Sequence, residues 1–289
     1  MLNTPTPALS VPRSNELRRI QLRSRRLVTG DLMGQYRSAF RGTGLVFTDI
    51  REYQPGDDVK HIHWKATART GKVFVKSYEE DRQLRVLLAV DMSASMRALN
   101  QNSGYTKALE FAATIGALAQ RGNDLFGLSL FAEKPLTYLQ PKSGAKRTHQ
   151  ILSTLMGERG EYHKTELAVA LEHISLVLRK PSIIFVLSDF VCSPFEAQLK
   201  TLSMLHDVVL VQIESPLEQR DALGLVTFTD AETGEQAVVR QKWSEALEAR
   251  RLALKETAQS CRADHIIISD SVIRPLVRLM RERVRRIQR

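Results

Sequence analysis

The stretch VDMSASM, from Val90 to Met96, sets one carboxylate and two hydroxyls at alternating positions directly after the apolar run VLLAV. In an extended segment the side chains at i, i+2 and i+4 share one side, whereas in a helix i and i+2 do not face each other. Asp91, Ser93 and Ser95 therefore converge on one point as the chain leaves a strand. Two more residues suit the same point: Thr165, just ahead of the apolar-periodic ELAVALEHISLVL, and Asp189, which closes the run SIIFVLSD. All five offer oxygen. Such donors suit a hard cation, Mg²⁺ or else Mn²⁺, Mg²⁺ taking an octahedron with oxygens at roughly 2.0–2.1 Å. Two carboxylates balance the ion's charge and three hydroxyls add none, so the ion stays electrophilic toward an outside carboxylate. The pattern points to capture of an acidic residue on a partner protein. Each residue also has a local alternative, since Asp91 or Ser93 can cap a helix and Thr165 can be the N-cap of the helix that follows it. What favours a shared site is the joint order: D-x-S-x-S after a strand, Thr before a helix, Asp after a later strand.

These residues need elements to position them. From Leu84 onward, short apolar runs alternate with amphipathic ones: LRVLLAV, DLFGLSLFA, SIIFVLSD, HDVVLVQIE and HIIIS read as strands. YTKALEFAATIGALAQRG, KRTHQILSTLMG, TELAVALEHISLVLRK, EAQLKTLSMLHD and SEALEARRLALKETAQSCR read as helices. Strands that are apolar without alternation are covered on both faces, which predicts an α/β fold, a doubly wound and mostly parallel sheet. Ligands of such sheets collect beyond the carboxyl ends of the strands. Asp91 and Asp189, both at strand exits, should open onto one crevice. Thr233 and Gly234, between two β-like runs in GLVTFTDAETGEQAVVR, predict a hairpin insertion near 224–240.

Upstream, residues 1–12 are rich in Pro, Thr and Ser and read as a disordered leader. SNELRRIQLRSRRLVTGDL reads as a basic helix, and GLVFTDIREY and KVFVKSY as two β-like runs separated by PGDDVKHIHWKATARTG. The expected organisation is thus a leader, an appendage over 13–80 (basic helix plus small β-rich part), and a main domain over 81–289. In the connecting segment Asp57, Asp58, His61 and His63 lie close together, but no convincing third ligand is spaced for zinc. A turn at Pro55–Gly56, aspartates bonded to backbone amides, Arg51 and Arg69 paired with that acidic turn, and packed Ile62 and Trp64 are expected instead.

Composition bounds the rest. With 289 residues, 43% hydrophobic and 26% charged, the chain has ordinary globular composition. Its longest aliphatic runs are far shorter than the roughly 20 residues that span a bilayer, and its start lacks the apolar core of a secretory signal. A cytoplasmic location is the expectation, with Cys192 and Cys261 as free packing thiols. The net charge of +10 sits at the ends: 14 Lys and Arg against 8 Asp and Glu in residues 1–80, and 7 against 1 in residues 274–289. Such ends are most often a solvated basic face, and they can attract nucleic acid, an anionic membrane surface or an acidic protein partner; the alternative reading is a basic nucleic-acid-binding protein. No stacking aromatics are interleaved with the terminal arginines, which argues against nucleic acid. Nor is an enzyme expected. Ser93 stands where an aspartyl-phosphate enzyme would need a second aspartate, and neither GxSxG nor a P-loop is present.

D-M-S-A-S, Thr165 and Ser188-Asp189 together resemble the metal-ion-dependent adhesion site of von Willebrand factor A domains, over most of residues 82–289. The upstream segment resembles the signature of a bacterial family, domain of unknown function 58. Arg51, Tyr53, Pro55, Gly56, Asp57, Asp58, Ile62, Trp64, Ala68 and Arg69 match its R-x-Y-x-P-G-D-D, I-x-W and A-R, and Lys60 departs from the arginine commonly found there. The resemblance implies a metal-binding interaction protein, working with a MoxR-type AAA+ ATPase on a client protein in chaperone-like assembly or activation.

Overall fold

The computed structural model describes residues 14–40, 45–59, 62–80, 83–97, 104–158, 160, 162–214, 226–229, 236–239 and 243–287. The leader, Lys60, His61 and the turn residues Thr233 and Gly234 lie outside them. Two compact units result, one of residues 41–83 and one of residues 1–40 with 84–289.

Helices α1 (Ser14–Leu27) and α2 (Gly30–Phe40) come first. In the smaller unit β1 (Leu45–Glu52) pairs antiparallel with β2 (Phe74–Glu80), and the segment between them holds a short helix, α3 (Trp64–Thr70). His63 starts that helix: its Nδ1 accepts the Ala66 N–H at 3.0 Å, while Gly71, at φ +72°, ends it in the left-handed conformation. The His63 Nδ1 is thus committed to a cap. Asp57 behaves as expected, taking Arg51 in a two-pronged ion pair (2.8 and 2.5 Å) and the Gln54 N–H at 2.8 Å. Arg51 thereby holds the Asp57 carboxyl below the usual carboxylate range. Trp64 departs from expectation: it is 68% exposed rather than packed.

The larger unit continues with β3 (Arg85–Asp91), α4 (Ala94–Arg97), α5 (Gly104–Gly122), β4 (Leu125–Phe131) and β5 (Pro135–Lys142). Next come α6 (Ala145–Gly157), α7 (Leu167–Val177), β6 (Ile183–Ser188), α8 (Glu196–Ser203) and β7 (Asp207–Ile213). The hairpin β8 (Val226–Thr229) and β9 (Gln236–Val239), α9 (Trp243–Ser260), β10 (Asp264–Ile268) and α10 (Ile273–Ile287) complete it. Six strands form one sheet in the order β10-β7-β6-β3-β4-β5, parallel throughout except for the antiparallel edge strand β5. The fold class is therefore the expected α/β one, with a doubly wound, mostly parallel sheet.

Alternate residues of each central strand feed opposite cores. Val86, Leu88 and Val90 pack with α5, α6 and α10, while Leu87 and Ala89 pack with α7 and α8. Both faces of β3 are dry, which is why its sequence carries no polar alternation. The segment expected as one appendage over 13–80 divides, because α2 has its own core anchor. Tyr36 and Phe40 are buried, and the Phe40 ring meets Phe185 of β6 edge-on at 5.7 Å. Only residues 41–83 form the separate β-rich unit.

Candidate metal centre

Chain order places the centre. Counting only strands of the large sheet, β3 is first and β6 fourth, and they are neighbours, so successive crossovers run outward in opposite directions from the line between them. A crevice opens beyond the carboxyl ends at such a switch point. Asp91 is the last residue of β3 and Ser188 the last of β6, one step past the paired Val90 and Leu187.

At that junction the Asp91 carboxylate, 1% exposed, collects three donors. Its Oδ1 accepts the Ser93 N–H at 2.9 Å, and its Oδ2 accepts hydroxyls from Thr165 at 3.0 Å and Ser188 at 2.6 Å. Ser93 Oγ and Ser95 Oγ lie 3.1 Å apart, but not through an extended segment: the chain turns at Ser93 into α4, which holds Ser95, so the turn rather than strand alternation brings the two hydroxyls together. Thr165 does not cap the following helix. The N-cap of α7 is Glu166, which makes no side-chain cap bond, and the Thr165 hydroxyl turns to Asp91 instead.

Asp189 follows β6 in a tight loop. Its Oδ1 accepts the Val191 N–H and Ser188 Oγ accepts the Phe190 N–H, each at 3.0 Å, while Phe190 itself takes φ +57°. A bulky residue in the left-handed region is costly and persists only where its surroundings hold it. Here both side-chain-to-backbone bonds and the burial of Phe190 against Phe195 do so. Asp189 makes no hydrogen bond to Asp91, but its charge acts on it. Burial first, then repulsion from Asp189, pushes the Asp91 carboxyl up to about 6, against the opposing pull of the hydrogen bonds from Ser188 and Ser93.

The five expected residues thus fall into two groups. Asp91, Ser93, Ser95 and Thr165 are joined by hydrogen bonds, and Asp189 stands beside them through its field. Ser188 completes the set and was not among the expected ligands. Its signal was available, because a lone hydroxyl closing a fully buried apolar strand needs a polar partner. Among the described residues no cluster of three or more His, Cys, Asp or Glu is found, and no cation pairs with Asp91. Hydroxyls gathered around the Asp91 carboxylate, with a second carboxylate at Asp189, are donors that could hold Mg²⁺, which takes one or two carboxylates and completes its shell with neutral oxygens.

The chain is an α/β domain with a polar cluster at the switch point of its doubly wound sheet. The chain belongs to the family described as protein of unknown function DUF58, whose model matches residues 49–264. It is 28% identical over 261 residues to the uncharacterized protein Rv1480 of Mycobacterium tuberculosis, covering 86% of this chain and 81% of that one. The uncharacterized protein Mb1516 of Mycobacterium bovis matches to the same extent. Among solved structures, an aerotolerance-related membrane protein from Bacteroides fragilis overlaps 70% of this chain and 99% of its own at a TM-score of 0.47 and 17% identity. The SpRpn10 VWA domain overlaps 69% and 95% at a TM-score of 0.39 and 14% identity. Among the described residues no helix is long and apolar enough to cross a membrane.

Proposed function

We propose that this chain is a non-enzymatic, metal-dependent protein-interaction module that binds Mg²⁺ at Asp91, Ser93, Ser95, Thr165 and Asp189. The observation that carries the reading is the Asp91 carboxylate: buried, bonded by hydroxyls and an amide, repelled by Asp189, and without a cation among the described residues to balance it. The ion, when bound, supplies positive charge and an open position for a carboxylate from a partner. Ser93, Ser95 and Thr165 would turn lone pairs toward it, and the Ser188 hydroxyl would keep Asp91 oriented. Against hydrolytic chemistry, Ser188 is wholly buried, and the Thr165 and Ser188 hydroxyls donate to a carboxylate rather than to a histidine base. In the cytoplasm the acidic residue would come from a client, and a MoxR-type AAA+ ATPase would be the co-worker.

The test is co-purification of the chain with a MoxR-type ATPase and its bound proteins in Mg²⁺ and in chelator, for wild type and Asp91→Ala. Association that needs both the ion and Asp91 is expected. Association indifferent to both would remove the metal bridge.

A further inference from the structure

The arginines of α10 serve two purposes. Arg283, 8% exposed, grips Asp207 through two nitrogens (2.5 and 2.7 Å) and Asp264 at 2.6 Å, and its guanidinium lies 4.6 Å from the Phe40 ring centre. Arg286 adds a bond to Asp264 at 2.7 Å. Those two arginines fasten the helix to the amino ends of β7 and β10. Arg274, Arg278, Arg281 and Arg285 lie on another side of the helix, spaced by 4, 3 and 4 residues. At the helical rise they make a row about 16 Å long. All four are exposed. Arg278 pairs with Glu282 at 2.8 Å, and the other three make no ion pair among the described residues. Together with half-buried Ile273 and Val277, and with Glu282, which neutralises Arg278, they line an open groove of about 460 Å³ along the helix, leaving Arg274, Arg281 and Arg285 to set its positive charge.

Three properties select the occupant. Like charges at these spacings repel one another, so a ligand with negative charges at matching intervals relieves the row. The cations of residues 274–289 are all arginine, whose planar fork suits carboxylates and phosphates held at two points. The apolar margin then separates those two. Ile273 and Val277 offer nothing to a phosphate chain, and no aromatic ring lines the groove for base stacking. The side of α10 that would enter a bilayer, with Leu276, Leu279 and Met280, is already buried in the core. An acidic amphipathic helix matches both margins, with its apolar side on Ile273 and Val277 and its carboxylates on the arginines.

We propose that this face of α10 docks an acidic amphipathic helix of a protein partner, independently of the metal centre. The probe is a labelled helical peptide with three glutamates spaced to meet Arg274, Arg281 and Arg285 and leucines beside them, followed by fluorescence anisotropy with the full chain in chelator. Binding should weaken at least about tenfold in Arg274→Gln/Arg281→Gln, which leaves the Arg283 clasp intact, and likewise when the peptide's leucines become serines. An unchanged melting temperature of the double variant separates docking from folding. Equal binding by wild type and variant overturns the proposal. So does binding indifferent to the leucines, or arginine-dependent binding of phosphatidylserine vesicles or duplex DNA without binding of the peptide.

Discussion

Replacing Asp91 with asparagine should stabilise the metal-free chain while abolishing its response to Mg²⁺. In the folded protein the Asp91 carboxyl titrates at about 6 instead of 3.8. A raised carboxyl destabilises the fold as pH rises through that window, by about 1.36 kcal/mol per unit, or ~3 kcal/mol above pH 7. Asparagine removes that charge and keeps most contacts. Its amide oxygen can accept the Ser93 N–H, and its amide nitrogen can donate to the Thr165 and Ser188 hydroxyls, which reverse roles. Because Ser188 Oγ already accepts from Phe190, the new geometry is crowded. A net gain of about 1–2 kcal/mol is therefore expected, which corresponds to roughly 2–8 °C in melting temperature. Thermal melts at pH 8 in chelator measure it. The gain should vanish near pH 4, where the wild-type carboxyl is protonated in the fold. Mg²⁺ at a hundred times its Kd should stabilise wild type by about 2.7 kcal/mol and the variant by nothing. A variant that melts below wild type at pH 8 without metal, or that keeps the Mg²⁺ response, refutes the charge argument.

Three further outcomes are expected. His265, its Nε2 3.0 Å from Gln212 Oε1, is pushed down to about 4, chiefly by burial and also by Lys255, against the pull of Glu214. The unfolded chain then takes up a proton near pH 6.5 that the folded one refuses until about 4. Stability should fall as pH drops over that interval, by about 1–2 kcal/mol once partial exposure is allowed for, and urea titrations of His265→Gln should lose that share of the slope. Arg283→Met leaves Asp207 without its cation and Asp264 with the exposed Arg286 alone. It should cost about 3 kcal/mol in the same assay, and a cost near zero would show that the clasp is dispensable. At Gly127 a Cβ would stand 2.8 Å from the Leu139 carbonyl oxygen of β5. Gly127→Ala should therefore cost roughly 1–3 kcal/mol, and a neutral result would mean that β5 yields easily.

The central strands and their helices are legible from the sequence because burial on both faces writes itself as unbroken apolar runs. The convergence of Asp91, Ser93 and Thr165 is legible from a strand exit and from one residue's place before a helix, whereas Ser95 arrives by the turn into α4 and not by the period of two. What escapes is instructive. The strand β5, PLTYLQPK, reads as loop because it is half-buried and carries two prolines, and its role is set by pairing with β4 rather than by its own pattern. Helix α2 contains Gly30 and Gly34 and has weak propensity, so only the burial of Tyr36 and Phe40 reveals it. The short α3 hides in a segment whose histidines suggested a ligand cluster. Ser188 is legible as a buried hydroxyl in need of a partner, and the pairing of β3 with β6 identifies that partner as Asp91.

Those two prolines of β5 have a consequence for how copies of the chain meet. An exposed sheet edge is a template for another strand, and a chain with a six-stranded sheet risks stacking with itself. Pro135 and Pro141 sit in the outermost strand and bring no amide hydrogens to it, and Gln140 and Lys142 beside Pro141 keep it polar and exposed. Self-polymerisation through that edge is discouraged by the backbone itself, leaving association to be decided by side chains.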